Sequence, residues 1–245
     1  MGSNLVRGRV RAVKAGIIAA GLGERFQRAG MTTPKPLLRV GGRTLLERAI
    51  TSAAEAGADE VALIVNREFP DVERYVRERP WPVPLRLTVR TTPSSMESFF
   101  ALEPDLAGSP FLLLTVDGIH APRSIAELAR RGLAAGPAGT LGVTDHVDDE
   151  KPLRARIGAD GEIVALGADA EPTPWVTSGI YFFFPGVYAA AAEARRRGLG
   201  AFRELLGLLL ERGERLASHR VGTSIDVDRP EDLTAAERFV AELGE

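Results

Sequence analysis

The sequence predicts an α/β fold around one largely parallel, doubly wound sheet. Apolar runs of strand length alternate with amphipathic helical stretches through the first half of the chain. Those runs are apolar at nearly every position, as strands covered on both faces are. A length of 245 residues with 44% hydrophobic content is enough for one substantial core.

Taken in order, residues 15–20 form an apolar run ending at Gly21 and read as a buried strand. Residues 44–56 carry Leu45, Leu46, Ala49, Ile50 and Ala53 at helical spacing, and Gly57 follows as a stop. Residues 61–65 are a second buried strand, 71–79 a polar helix closed by Pro80, and 85–89 an alternating strand. Residues 95–102 read as a helix, 111–116 as an apolar strand, and 122–131 as a helix with proline in its first turn. This βαβαβαβα order belongs to a doubly wound sheet. Further on, 141–143, 153–157, 163–166 and 180–184 read as strands, with Asp160-Gly161 marking a hairpin. An amphipathic helix is expected over 201–212, then a short strand at 224–227 and a last helix over 230–243. No linker, repeat or low-complexity stretch interrupts the chain. Residues 14–245 are therefore expected to form one domain behind an N-terminal extension at 1–13, with the segments near 145–152 and 168–174 as loops over a site.

Composition excludes several chemistries. With no cysteine, thiolate catalysis, zinc thiolates and disulfides drop out. Three histidines make a multi-histidine metal site improbable, so a metal site would use oxygen ligands and suit Mg²⁺. The formal net charge of -2 gives no basic excess to recommend nucleic acid as the partner. No apolar stretch is long enough to span a bilayer, and the charged N-terminus lacks a secretory core, so a cytoplasmic location is expected.

The most informative stretch runs Ala19-Ala20-Gly21-Leu22-Gly23-Glu24-Arg25-Phe26, followed by Pro34-Lys35-Pro36-Leu37. A strand delivers the chain into two glycines, whose missing Cβ atoms let backbone N–H groups approach phosphate oxygens. Arg25 offers several donors to a polyphosphate, and Lys35 a point charge whose flanking prolines restrict its backbone. Phe26 replaces the third glycine of a dinucleotide fingerprint, and no Gly-Lys-Ser/Thr follows to make a Walker loop. The string resembles the signature of the sugar-nucleotidyltransferase family, Ala-x-Gly-x-Gly-x-Arg, a spacer, then Pro-Lys-Pro-Leu. That resemblance implies a Rossmann-like three-layer sandwich with a mostly parallel mixed sheet, of the nucleotide-diphospho-sugar transferase type. It also implies condensation of an NTP, pyrimidine favoured, with a sugar 1-phosphate or similar small phosphorylated acceptor, releasing pyrophosphate.

On the same resemblance, Asp117, delivered by the strand at 111–116, falls on the first Mg²⁺ carboxylate position. Asp226, in Ile225-Asp226-Val227-Asp228-Arg229-Pro230-Glu231-Asp232-Leu233, falls on the second. Asp228 is an open alternative for that second ligand, and Asp117 before Gly118 also suits a turn. Glu231 and Asp232 stand in the first turn of a helix, where carboxylates are favoured by the dipole without any function. Arg25 and Lys35 take the catalytic roles, and Ala20, Gly21, Leu22 and Gly23 bind the nucleotide. Ser94 and Ser95 stand where relatives read the base, although helix capping explains both serines equally well. Thr177-Ser178-Gly179-Ile180-Tyr181 resembles the family's acceptor-binding Asn-Thr-Gly-Ile-Tyr, which gives Thr177 and Gly179 to the acceptor. Lys151 is a candidate for the acceptor phosphate or a solvated loop lysine, and the role of His120 stays open. Two rival classes are a nucleotide-sugar-dependent glycosyltransferase, which usually shows Asp-x-Asp where this chain has Asp117-Gly118-Ile119, and a noncatalytic nucleotide-binding module, which needs neither Lys35 nor both carboxylates.

Overall fold

The computed structural model describes residues 13–135, 138–146 and 152–244. At its centre lies a seven-stranded sheet in the order Leu216–Arg220, Gly139–Thr144, Val176–Phe183, Phe111–Thr115, Lys14–Ala19, Glu60–Val65, Leu85–Val89. Val176–Phe183 runs antiparallel to both its neighbours, and every other pairing in the sheet is parallel. The element order predicts its largely parallel character, and the resemblance its mixed one.

The runs are apolar at both parities because the sheet is covered twice. Ala15, Ile17, Leu63, Leu112, Leu114 and Phe182 enter one core, while Ala62, Ile64, Phe111, Leu113, Tyr181 and Phe183 enter the other. Helices Leu45–Glu55, Pro70–Arg77, Pro122–Ala135 and Asp232–Glu242 close the first face. Ser95–Ala101, Ala191–Arg196 and Phe202–Glu211 close the second. Each fully buried Leu, Ile or Phe on these faces contributes about 1.5–3 kcal/mol. The second core is rich in aromatics: Phe99 stacks on Tyr188 at 4.7 Å and meets Phe202 edge-on at 5.0 Å. Local chemistry fixes the helix starts. Thr44 and Glu47 form a reciprocal capping box, and the Ser94 hydroxyl accepts the Glu97 N–H.

Several boundaries differ from expectation. The strand expected at 180–184 starts at Val176, and the helix expected to end at residue 131 continues to Ala135. Leu216–Arg220 is an edge strand that mixed polarity concealed: Leu216 and His219 are buried, Ala217 and Ser218 half-buried and Arg220 exposed. Val13, expected within the N-terminal extension, is buried in the core. No helix among the described residues is long and apolar enough to cross a membrane.

Strand order also locates the site. From Lys14–Ala19 the chain builds outward through Glu60–Val65 to Leu85–Val89, then returns to place Phe111–Thr115 on the opposite side of the first strand. The loops leaving Ala19 and Thr115 diverge there, which opens a crevice at the carboxyl ends of the strands.

Candidate active site

A cavity of about 590 Å³ fills that crevice. Its walls include Ala20, Gly21, Leu22, Gly23 and Arg25 on one side and Thr91, Thr92, Ser94 and Ser95 on another, with Lys35, Asp117 and Asp228 at one end. The loop can lie this close because Gly23 adopts φ +64, a left-handed conformation costly to residues with a Cβ. A Cβ built on Gly23 would stand 3.2 Å from Cβ of Lys35, so the glycine loop packs directly on the lysine stem.

The charged centre is compact. Lys35 Nζ donates to Asp117 Oδ2 at 2.7 Å and to Asp228 Oδ1 at 2.5 Å, and Arg25 Nη1 donates to Asp228 Oδ2 at 3.0 Å. The Lys35 side chain is only 10% exposed. Burial opposes its charge, but the two carboxylates outweigh burial and raise its pKa above the ordinary lysine range. Burial likewise pushes the Asp117 carboxyl up. The Lys35 ammonium, with hydrogen bonds from Lys35 and Thr115, overcomes that push and holds Asp117 below its ordinary value. Asp117 and Asp228 meet because a two-stranded antiparallel ribbon joins Gly118–His120 to Ser224–Asp226. The Val227 N–H then donates to the Asp117 carbonyl at 3.1 Å.

A smaller lobe of about 200 Å³ adjoins the same carboxylates. It is lined by Thr177, Gly179, Tyr181, Arg203 and Asp226, and shares Ser95, Thr115, Asp117 and Asp228 with the larger cavity. A bulge shapes this wall: Thr177 pairs with Val143 and Tyr181 with Leu141, leaving two extra residues on the inner strand. Gly179 sits in it at φ +78, and a Cβ there would lie 2.7 Å from the Thr115 hydroxyl.

His120 supports the bulge from behind: its Nε2–H donates to the Ser178 carbonyl at 2.6 Å. Burial pushes the imidazole pKa down to about 4, so the ring is neutral near pH 7. Below the ordinary value of 6.5 the unfolded chain takes up this proton first. Stability present above that pH is therefore lost as pH falls toward 4, by up to about 3 kcal/mol. His120→Gln keeps a donor and removes the titration. Urea unfolding at pH 7 and pH 5 is expected to show a smaller acid loss in His120→Gln than in the wild type. Equal losses would assign the acid sensitivity to other groups.

The expected site residues fall into two sets. Arg25, Lys35, Ala20, Gly21, Leu22, Gly23, Ser94, Ser95 and Asp117 all line the larger cavity, and Thr177, Gly179 and Asp226 the smaller one. Asp228, the open alternative for the second carboxylate, contacts Lys35, while Asp226 lies opposite Gly118 and faces the smaller lobe. Ser94 caps a helix, and Ser95 Oγ accepts the Phe202 N–H at 2.9 Å, so both serines have structural partners as well as a place on the wall. Lys151 lies outside the described residues. Sequence reasoning missed Asn66, which is buried, accepts the Thr91 hydroxyl at 2.7 Å and lines the larger cavity. It follows directly on a strand end, and that position was its only signal.

Residues 15–205 match the family model of the MobA-like NTP transferase domain. A bifunctional IPC transferase and DIPP synthase from Rubrobacter xylanophilus is 28% identical over 232 residues, 93% of this chain and 52% of its own length. The chain thus spans about half of that relative. A mannose-1-phosphate guanyltransferase from Aspergillus oryzae is 31% identical over 234 residues, 90% of this chain and 62% of that protein. The solved inositol-1-phosphate CTP transferase from T. maritima superposes with a TM-score of 0.80 at 19% identity, over 96% of this chain and 97% of that one. The matched span includes the glycine loop, Lys35, Asp117 and the bulged strand, and the chain belongs to the MobA-like NTP transferase domain family.

Proposed function

We propose that this protein is a divalent-cation-dependent nucleotidyltransferase, joining an NTP to a sugar 1-phosphate or similar small phosphorylated acceptor and releasing pyrophosphate. The observation that carries this reading is the position of Lys35. Its ammonium lies between Asp117 and Asp228, and those carboxylates border both lobes of a divided cleft. A charged centre at the junction of a large and a small lobe suits a reaction that joins two phosphorylated molecules.

In this mechanism an acceptor phosphate oxygen attacks the NTP α-phosphorus in line. The new O–P bond forms as the bond to the β-phosphate oxygen breaks, and pyrophosphate carries away the electron pair. The attacking oxygen is already ionised near neutral pH, so no general base is required. Alignment and charge neutralisation remain as the protein's tasks. Backbone N–H groups of residues 20–23 and Arg25 hold the β- and γ-phosphates. Lys35 sits between the α-phosphate and the incoming phosphate. Thr177, Gly179 and Asp226 shape the acceptor lobe.

The residues present fit a hard cation such as Mg²⁺. Asp117 Oδ2 and Asp228 Oδ1 converge on one cationic point, the Lys35 ammonium, with oxygen donors alone. Mg²⁺ is commonly held by one or two carboxylates together with substrate phosphates and water, which matches a pair of aspartates. When bound, such a cation supplies charge neutralisation on the polyphosphate.

The base reading is pyrimidine. The wall beyond the glycine loop is Asn66, Thr91, Thr92, Pro93, Ser94 and Ser98, all neutral. Guanine presents adjacent N–H donors that a carboxylate would take, whereas hydroxyl and amide groups serve a mixed donor–acceptor edge; the preference for a pyrimidine over adenine rests on the sequence resemblance.

The test is a matrix of Mg²⁺, each of CTP, UTP, GTP, ATP and dTTP, and a panel of phosphorylated acceptors. Pyrophosphate release that needs both substrates is expected, with a product mass equal to NMP plus acceptor and a measurable reverse reaction. Turnover with purine nucleotides alone would reject the pyrimidine reading and keep the reaction class. Consumption of a nucleotide sugar without pyrophosphate would point to glycosyl transfer, and nucleotide binding without turnover to a regulatory module.

A further inference from the structure

We infer that Asp232 is a positioning residue, which aims the Asp228 carboxylate at Lys35 by holding the backbone that carries it. This rests on the nucleotidyltransferase reading of the site. Asp232 is 5% exposed, although it stands in the first turn of a surface helix. Its Oδ2 accepts the N–H of Asp228 at 2.8 Å and that of Arg229 at 2.7 Å, and its Oδ1 lies 3.4 Å from the Arg229 guanidinium.

The helix dipole alone does not account for this burial. A carboxylate in the first turn gains most of that interaction while solvated, and neighbouring Glu231 is exposed in the same turn. A buried carboxylate is costly unless hydrogen bonds and charge compensate it, and here the compensating groups are two backbone N–H groups of the segment 228–229.

That segment is held from both sides. Upstream, Asp226 pairs with Gly118, and the Val227 N–H donates to the Asp117 carbonyl at 3.1 Å. Downstream, Asp232 fixes the next two residues to a helix anchored in the core by Ala236, Phe239 and Val240. With both ends fixed, the backbone at Asp228 is held where its carboxylate accepts from Lys35 Nζ at 2.5 Å and Arg25 Nη1 at 3.0 Å. Residues that orient a cation ligand typically change metal affinity or activity by about 10–100-fold when removed.

Asp232→Ala is expected to lower kcat about thirtyfold and to raise half-saturating Mg²⁺ about tenfold. Mn²⁺ binding in the presence of nucleotide, followed by titration calorimetry, is expected to weaken in parallel. Asp232→Asn retains an oxygen that accepts both N–H groups, so it is expected to recover most of both losses. Asp228→Ala/Asp232→Ala is expected to be no worse than Asp228→Ala alone, because Asp232 acts through Asp228. Thr44→Ala removes a buried cap elsewhere and is expected to lower stability while leaving the Mg²⁺ dependence unchanged. If Asp232→Ala does not fold, Asp232→Ser, whose hydroxyl reaches fewer N–H groups, is judged by the same criteria.

The inference is overturned if the folded variant keeps wild-type kcat and Mg²⁺ dependence. It is also overturned if the losses at Asp228 and Asp232 are additive, or if Asp232→Asn fails as badly as Asp232→Ala. Absence of coupled turnover in the wild-type protein would instead remove the nucleotidyltransferase reading itself.

Discussion

Asp117→Ala is expected to lower kcat by at least about a thousandfold, more than 4 kcal/mol of transition-state stabilisation, while the protein stays folded. Asp117 is delivered by a core strand, but its side chain is 28% exposed and faces the cleft, so its loss removes charge from the site without opening a cavity. The remaining carboxylate, Asp228, keeps both Lys35 and Arg25 as partners, which limits the effect on stability. Initial rates across a Mg²⁺ titration, with circular dichroism as the folding control, measure the result. Asp228→Ala is expected to behave alike. Asp226→Ala, which alters the smaller lobe, is expected to act mainly by raising the KM for the acceptor. Near-normal kcat in Asp117→Ala would remove that residue from the centre, and a collapse of kcat and metal dependence in Asp226→Ala would make Asp226, rather than Asp228, the second ligand.

The choice between Asp226 and Asp228 shows where sequence reading stops. Strands such as Glu60–Val65 were legible because they must be apolar on both faces, and helix Leu45–Glu55 because its capping box and apolar stripe are local. The glycine loop was legible for the same reason, since its chemistry needs residues adjacent in the chain. That Asp228 meets Lys35 depends on the pairing of Gly118–His120 with Ser224–Asp226, across about a hundred intervening residues, and nothing local marks that pairing. Ser178 and His120 show the same limit. The bulge leaves a carbonyl that needs a donor, and only the fold shows that an imidazole 58 residues earlier supplies it. Asp232 was legible as a helix-start carboxylate, but its burial and its bonds to residues 228 and 229 were not.

Lys35→Ala is expected to lower kcat about a hundredfold, near 3 kcal/mol, with a smaller change in KM. The charge matters most as negative charge redistributes around the α-phosphorus, so its loss falls on the transition state more than on the bound substrates. The site also predicts how this variant differs from Asp117→Ala. Removing Lys35 leaves Asp117 and Asp228 without their shared ammonium, so their attraction for a divalent cation rises and half-saturating Mg²⁺ is expected to fall or stay constant. In Asp117→Ala it is expected to rise. Lys35→Met retains the stem against which the glycine loop packs, and it is expected to match the alanine variant because the ammonium is the working group. Lys35→Arg is expected to recover little. Its charge is preserved, but a broad planar fork does not fit a 10% exposed position between two carboxylates that now accept a single point charge. Because burial is outweighed by those carboxylates, the lysine stays charged well above neutral pH, and the wild-type rate should show no alkaline loss from this group between pH 7 and 9. Steady-state kinetics of the three variants over a Mg²⁺ series test the assignment: an unchanged kcat in Lys35→Ala would take the lysine out of the reaction and leave it as a structural counter-ion, and full activity in Lys35→Arg would reject the need for a point charge.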